Sequence, residues 1–249
     1  MTFVSLALKV PIKFAKALRQ RIRRFGQFFL FSRLVSNIRK RGSIDDPGDI
    51  FNYGARGNFG LISPIQSREE LVPLLSLLKG LRPRTVMEIG TANGGTLFMM
   101  TRICAPEAMI LSLDLPGGPF GGGYTEDRVP LYEAFALPGQ TVRLIRADSH
   151  NAESLVKVRQ LLDHRTVDFL FIDGDHTYEG VRRDFEMYAP LVSPGGFIAF
   201  HDIVYAEGVQ KFWAEVAPTY LSAREFVASA EPIFGIGLLQ MPKSGNGSH

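Results

Sequence analysis

Cysteine is almost absent from this 249-residue sequence: Cys104 stands alone, so it can form no intramolecular disulfide and cannot by itself build a structural zinc site. A reducing, cytoplasmic setting is the expectation. No apolar stretch of the arm before Gly42 reaches the roughly 18 to 20 residues that a spanning helix needs, and cations interrupt the rest. Acids are missing altogether from residues 1–41, which carry eleven Lys and Arg. Removing those eleven from the 28 basic residues leaves 17 against 25 Asp and Glu, so a basic arm is joined to an acidic domain. At 45% hydrophobic residues, disorder is excluded as the main state.

What the arm does contain is helical periodicity. Phe14, Leu18, Ile22, Phe25 and Phe29 recur at three- and four-residue spacing, with Lys9, Lys13 and Lys16 on another stripe. Met1–Leu8 precedes the first cation, the reverse of a secretory signal. Two readings stay open: a basic amphipathic helix lying on an anionic membrane surface, or a helix packed on the domain or on a second copy in a homo-oligomer. Nothing resembles a nucleic-acid recognition motif.

Residues 42–60, rich in Gly and Asp, read as a linker or an ordered loop. Ser67 through Glu70 resembles a capping box and predicts a helix over about 68–79. From Arg84 onward short apolar runs alternate with helical segments. Strands are expected at Thr85–Ile89, Met109–Leu113, Val142–Arg146, Val167–Ile172, Gly196–His201, Glu225–Ala228 and Ile236–Met241. Helices are expected near 94–104, 128–136, 151–163, 178–188 and 208–217. Continuous apolar strands such as Val167–Ile172 indicate burial on both faces, so the fold class is α/β, an open, doubly wound, mostly parallel sheet of seven strands. The organisation that follows is an arm over 1–41, a linker and helix over 42–83, the main domain over 84–243 and a polar tail over 244–249.

In such sheets ligands bind beyond the carboxyl ends of the strands. The first strand runs into Glu88-Ile-Gly90-Thr-Ala-Asn93-Gly94-Gly95-Thr96, a Gly-rich turn opening a helix. Its spacing is neither the dinucleotide G-x-G-x-x-G nor a phosphate loop, which would end in G-K-[ST]. The turn resembles the first motif of class I S-adenosylmethionine-dependent methyltransferases. That resemblance implies cofactor contacts from Glu88, Gly90, Asn93, Gly94 and Gly95. Asp114 would bind the ribose hydroxyls, and Asp148 and Ser149 would meet the adenine edge.

The stretch Phe169-Leu-Phe-Ile-Asp173-Gly-Asp-His176-Thr-Tyr-Glu-Gly-Val-Arg-Arg-Asp-Phe-Glu186, followed by Leu191-Val-Ser-Pro-Gly-Gly-Phe-Ile-Ala-Phe-His201-Asp202-Ile203, carries the more specific likeness. It resembles the cephalosporin hydroxylase-like and rhamnosyl O-methyltransferase-like methyltransferases over about residues 84–204. Metal-dependent relatives hold a divalent cation through an acid ending the fourth strand and an adjacent pair ending the fifth. The resemblance places Asp173 in the first role and His201 with Asp202 in the second, with His176 as the proton acceptor. The relatives have a carboxylate where this chain has His201. An imidazole ligand shifts preference from Mg²⁺ toward Mn²⁺, Fe²⁺ or Zn²⁺.

An aliphatic hydroxyl, with a pKa near that of water, needs such help to attack a sulfonium methyl group. The implied activity is O-methyl transfer to a sugar, glycolipid or glycosylated metabolite, with the arm placing the enzyme at a membrane surface. The alternatives are a catalytically silent cofactor-binding scaffold and a hydroxylase-type member of the same group. The Gly-rich segment Pro116–Leu137 reads as a flap over cofactor or acceptor, with Phe120, Tyr124 or Tyr132 able to stack on a sugar ring. His150 and His164 are expected in solvent, Arg182, Arg183 and Asp184 on an exposed helix face, and Phe212, Trp213 and Cys104 in the core.

Overall fold

In a computed structural model, which describes residues 31–57, 60–117, 123–229 and 233–243, the apolar runs become strands, the central ones buried on both faces. The strands are β1 (Thr85–Ile89), β2 (Met109–Asp114), β3 (Thr141–Arg146), β4 (Val167–Ile172), β5 (Val192–His201), β6 (Ala223–Phe226) and β7 (Ile236–Gln240). They form one seven-stranded sheet in the order β3-β2-β1-β4-β5-β7-β6. The first five run parallel, and β7 is antiparallel to both β5 and β6. The chain order reverses between β1 and β4, which opens a crevice at their carboxyl ends.

Helical residues 31–41 form α1. The others are α2 (Pro47–Arg56), α3 (Arg68–Leu81), α4 (Gly95–Ile103), α5 (Val129–Glu133), α6 (Ala152–Leu162), α7 (Tyr178–Tyr188) and α8 (Glu207–Val216). Two apolar layers sandwich the sheet, which is why its strands read as continuous hydrophobic runs. Phe169 and Phe171 of β4 pack into the layer that also holds Leu34, Ile50, Leu74 and Phe98. Leu170 and Ile172, on the opposite pleat, pack with Val158, Val181, Phe212 and Trp213. Cys104 is buried in the first layer.

The helix starts follow their caps. Asn151 Oδ1 accepts from Glu153 N at 3.0 Å, and Thr177 Oγ1 accepts from Gly180 N at 3.0 Å. Ser67 and Glu70 form the expected capping box of α3.

Where the sequence reads as a linker or loop, residues 47–56 form a helix. Asp46 caps α2, Pro47 occupies its first turn, and Ile50 and Gly54 are buried. Four turn-forming residues disguised a start signal, since Pro is favoured at a first helical position.

Of the arm, residues 1–30 lie outside the described residues, including the apolar stripe from Phe14 to Phe29. In α1, Leu34 and Ile38 are buried while Arg33, Arg39, Lys40 and Arg41 are exposed. Among the described residues, no helix is long and apolar enough to cross a membrane.

Asp184 is not on an exposed face. It is fully buried on α7 beside Val181 and Tyr188, whereas Arg182 and Arg183 are exposed, with Arg182 paired to Glu186 at 2.7 Å. Tyr124 and Tyr132 are also buried, edge to face at 4.8 Å between ring centroids, so neither offers a stacking surface to a sugar. The Tyr132 ring packs under the turn after β1, against Gly94, and Tyr124 packs on Tyr132. Phe120 lies outside the described residues.

Candidate active site

The turn after β1 needs glycine at two points. Gly90 has φ +85°, and a β-carbon there would overlap the carbonyl oxygen of Asp173. Gly94 has φ +80°, and a β-carbon would press on the Tyr132 ring at 2.7 Å. The turn is then held from outside: Ala92 N donates to Asp114 Oδ2 at 3.1 Å, and Tyr132 Oη donates to Ala92 O at 2.7 Å.

Beyond the strand ends lies an open cleft lined by Gly90, Ala92, Asp114, Asp148, Ser149 and Asp173, with His150 at one side. Asp114 ends β2 and is largely buried. Burial raises its carboxyl above the usual range, opposed by backbone N–H groups of Tyr124 and Ala92.

Glu88, Asn93, Gly94 and Gly95 do not line this cleft. Glu88 is buried beneath the turn, where the Thr96 hydroxyl donates to it. Burial pushes its pKa up to about 8, so it holds a proton at neutral pH and acts as a neutral bracket for the turn.

His150 is not simply solvated. Its Nε2 faces Asp184 Oδ1 at 3.3 Å and Gly180 O at 3.2 Å, and Arg183 donates to its carbonyl at 2.8 Å. Asp184 has no well-formed hydrogen bond of its own and no solvent exposure, so the imidazole is its compensating partner.

At the neighbouring ends of β4 and β5, Asp173, His201 and Asp202 converge. One donor atom from each lies within 4.8 Å of the others. His201 Nδ1 is 3.1 Å from Asp173 Oδ1 and 3.3 Å from Asp202 Oδ1. His176, from the loop after β4, places Nδ1 at 3.3 Å from Asp202 Oδ2 and Nε2 at 3.6 Å from Asp173 Oδ1. Asp202 has φ +64°, an uncommon backbone state for a residue with a side chain.

The charges shift one another. Burial alone would raise the Asp173 carboxyl, yet His201 and His176 beside it prevail and hold it below its usual range. His176 is raised by its bond to Asp173, against the effect of burial. His201 is raised too, because Asp173, Asp202 and Glu70 outweigh its burial. Asp202 is raised, chiefly by burial.

The donor set suits a divalent cation. Asp202 Oδ1 is buried without a hydrogen bond, and two carboxylates with one imidazole supply oxygen and nitrogen ligands of the right type.

Two residues at this centre had no reading as site residues. Gln66 donates from Nε2 to Asp173 Oδ2 at 2.6 Å, and Glu70 places Oε2 at 3.9 Å from His201 Nε2. Glu70 was legible only as a helix cap, and nothing near Gln66 in sequence marks it.

The sheet order and the crevice at its switch point define the Rossmann-like methyltransferase fold. Within it, residues 87–203 match the family model of a methyltransferase domain. An O-methyltransferase from Bacillus cereus, solved with SAH, is similar at TM-score 0.53 and 18% identity, covering 78% of this chain and 90% of that one. MycE methyltransferase of the mycinamycin pathway, solved with Mg and SAH, is similar at TM-score 0.52 and 18% identity, covering 84% of this chain and 58% of that one. Uncharacterized protein R132 of Acanthamoeba polyphaga mimivirus is 34% identical over 119 residues, covering 47% of this chain and 51% of that protein. The chain spans about half the length, or less, of the curated relatives it matches.

Proposed function

We propose that the protein is an S-adenosylmethionine-dependent O-methyltransferase, assisted by a divalent metal, that acts on a hydroxyl of a sugar, glycolipid or glycosylated metabolite. It would fall in the cephalosporin hydroxylase-like and rhamnosyl O-methyltransferase-like group that its sequence resembles. The observation that carries this reading is the meeting of His176, His201 and Asp202 around Asp173, which also lines the cleft formed by Gly90, Asp114, Asp148 and Ser149. The similar fold of MycE, solved with Mg and SAH, supports it.

When bound, S-adenosylmethionine supplies an electrophilic methyl group and the cation supplies Lewis acidity toward the acceptor oxygen. Asp173, Asp202 and His201 would hold the cation. Asp114 would accept from the ribose hydroxyls, Asp148 and Ser149 would border the adenine, and the bare Gly90 backbone would allow close approach. His176 takes the proton of the acceptor hydroxyl at Nε2, while Asp202 orients its ring through Nδ1. The chain's contribution to rate is then alignment of the two reactants, proton removal and a fixed electrostatic frame.

The outward cations of α1 give the enzyme a face for an anionic membrane, where a lipid-linked acceptor would be found. Flotation with anionic vesicles tests this: the full chain should float, and a chain with Arg33, Arg39, Lys40 and Arg41 changed to Glu should float less.

For the activity, calorimetry with S-adenosylmethionine and S-adenosylhomocysteine, with and without Mn²⁺ or Mg²⁺, should show binding. Transfer of a labelled methyl group to a panel of glycosides and glycolipids should follow, and be lost in His176→Ala. Tight cofactor binding with no transfer to any acceptor would favour the silent scaffold.

A further inference from the structure

The segment before the methyltransferase-domain match reaches into the centre from outside it. Gln66 and Glu70 stand at the start of α3, and both are almost fully buried, at 5% and 1% exposure. We propose that they are positioning residues of the catalytic centre: Gln66 fixes which oxygen of Asp173 is presented, and Glu70 fixes the ring of His201. This rests on the reading that Asp173, His201 and Asp202 hold a divalent cation.

The geometry makes the case for each. A carboxylate past the end of a strand can turn about its last bond and exchange its oxygens. The Gln66 amide takes Asp173 Oδ2 at 2.6 Å, so Oδ1 is the oxygen left facing His201 Nδ1 at 3.1 Å and His176 Nε2 at 3.6 Å. An amide can do this without adding charge to a crowded acidic site, which a Glu at position 66 could not.

Glu70 is anchored twice before it meets His201. Its Oε2 accepts from Ser67 N at 3.0 Å and its Oε1 from Gly235 N at 2.9 Å. Gly235 O in turn accepts from Ile203 N at 3.3 Å, just after Asp202. The carboxylate is thus a fixed post between α3, the start of β7 and the end of β5.

His201 Nε2 is buried without a hydrogen bond, and Glu70 Oε2, 3.9 Å away, is its paired carboxylate. Without metal, Nδ1 donates to Asp173 Oδ1; with Nδ1 on a cation, Nε2 would be the nitrogen that carries the proton, toward Glu70. A ligand imidazole typically gives its other N–H to a carboxylate, which sets tautomer and orientation, and losing such a partner typically costs about 10- to 100-fold in metal affinity. The capping box therefore serves the helix and the site with one side chain.

The test uses full-length Gln66→Leu and Glu70→Gln proteins, Mn²⁺ as probe, and ¹⁵N NMR of the histidine rings without metal. Thermal unfolding and S-adenosylhomocysteine affinity identify any variant that has merely lost its fold. Each variant should bind Mn²⁺ about 10- to 100-fold more weakly, keep its S-adenosylhomocysteine affinity, and show altered His201 ring nitrogen shifts. Wild-type Mn²⁺ affinity in both variants, with His201 shifts unmoved, would overturn the positioning role and leave the metal reading standing. A wild-type chain that binds no Mn²⁺, with His201 shifts still changed in both variants, would overturn the metal reading and leave the positioning role standing.

Discussion

Gly90 and Asp173 are packed backbone against backbone: the α-carbon of one faces the carbonyl of the other so closely that no β-carbon fits between them. Asp173 N also donates to Ile89 O at 2.8 Å, which locks the two strand ends together. One contact therefore sets the floor of the cleft and the position of a carboxylate at the candidate site. Gly90→Ala adds a clash and strains a backbone at φ +85°. The expected cost is about 2 kcal/mol or more in chemical denaturation, with weaker S-adenosylhomocysteine binding by calorimetry. An unchanged denaturation midpoint would show that the turn relaxes freely.

Glu88 gives a pH dependence whose sign is opposite to that of a typical paired carboxylate. Its folded pKa is about 8 against an ordinary 4.5, so between those values the folded chain binds a proton that the unfolded chain has lost. Stability from this group is greatest below about pH 4.5 and declines as pH rises toward 8. Glu88→Gln, neutral at every pH, should flatten that decline. The midpoint of thermal unfolding at pH 6 and pH 8.5 reads the difference, and parallel slopes for both proteins would refute it.

Asp114 should matter more to cofactor binding than Asp148. Asp114 is buried and hydrogen-bonded to the turn, whereas Asp148 is exposed. Asp114→Asn removes a charged acceptor worth about 1.5 to 3 kcal/mol, so S-adenosylhomocysteine affinity should fall roughly 10- to 100-fold in calorimetry. Asp148→Ala should cost less, and equal losses would contradict this ranking.

The His150–Asp184 pair carries a second pH signature. The Asp184 carboxylate beside it raises the imidazole above its ordinary 6.5, so its contribution to stability is complete below that value and fades as pH rises through the folded pKa. Replacing His150 by Gln should remove that component. Unfolding curves of both proteins from pH 5.5 to pH 8.5 should converge at the alkaline end, and a constant gap would exclude ionic pairing as the cause.

Much of the architecture was legible in the linear pattern. Val167–Ile172 spans β4 as read, because a strand buried on both faces must be apolar at every position and so advertises itself. The Ser67 and Glu70 capping box and the strand-end positions of Glu88, Asp114, Asp173 and His201 follow equally from local rules. Tertiary contacts decided the rest. Asp184 occupies a helix position that looks solvent-facing by charge, yet it is buried against His150 from another loop. Tyr124 and Tyr132 read as ligand platforms but became core, since their surroundings come from residues far along the chain.

The sequence by itself determined a doubly wound sheet and the set of acids and imidazoles that its strand ends would present, because period, capping and apolar runs are local properties. Only the folded structure decided that Glu88 stays neutral beneath the turn, and that Gln66 reaches across 107 positions to Asp173. Burial and long-range partners set ionisation and orientation, and neither is a property of any short stretch of chain.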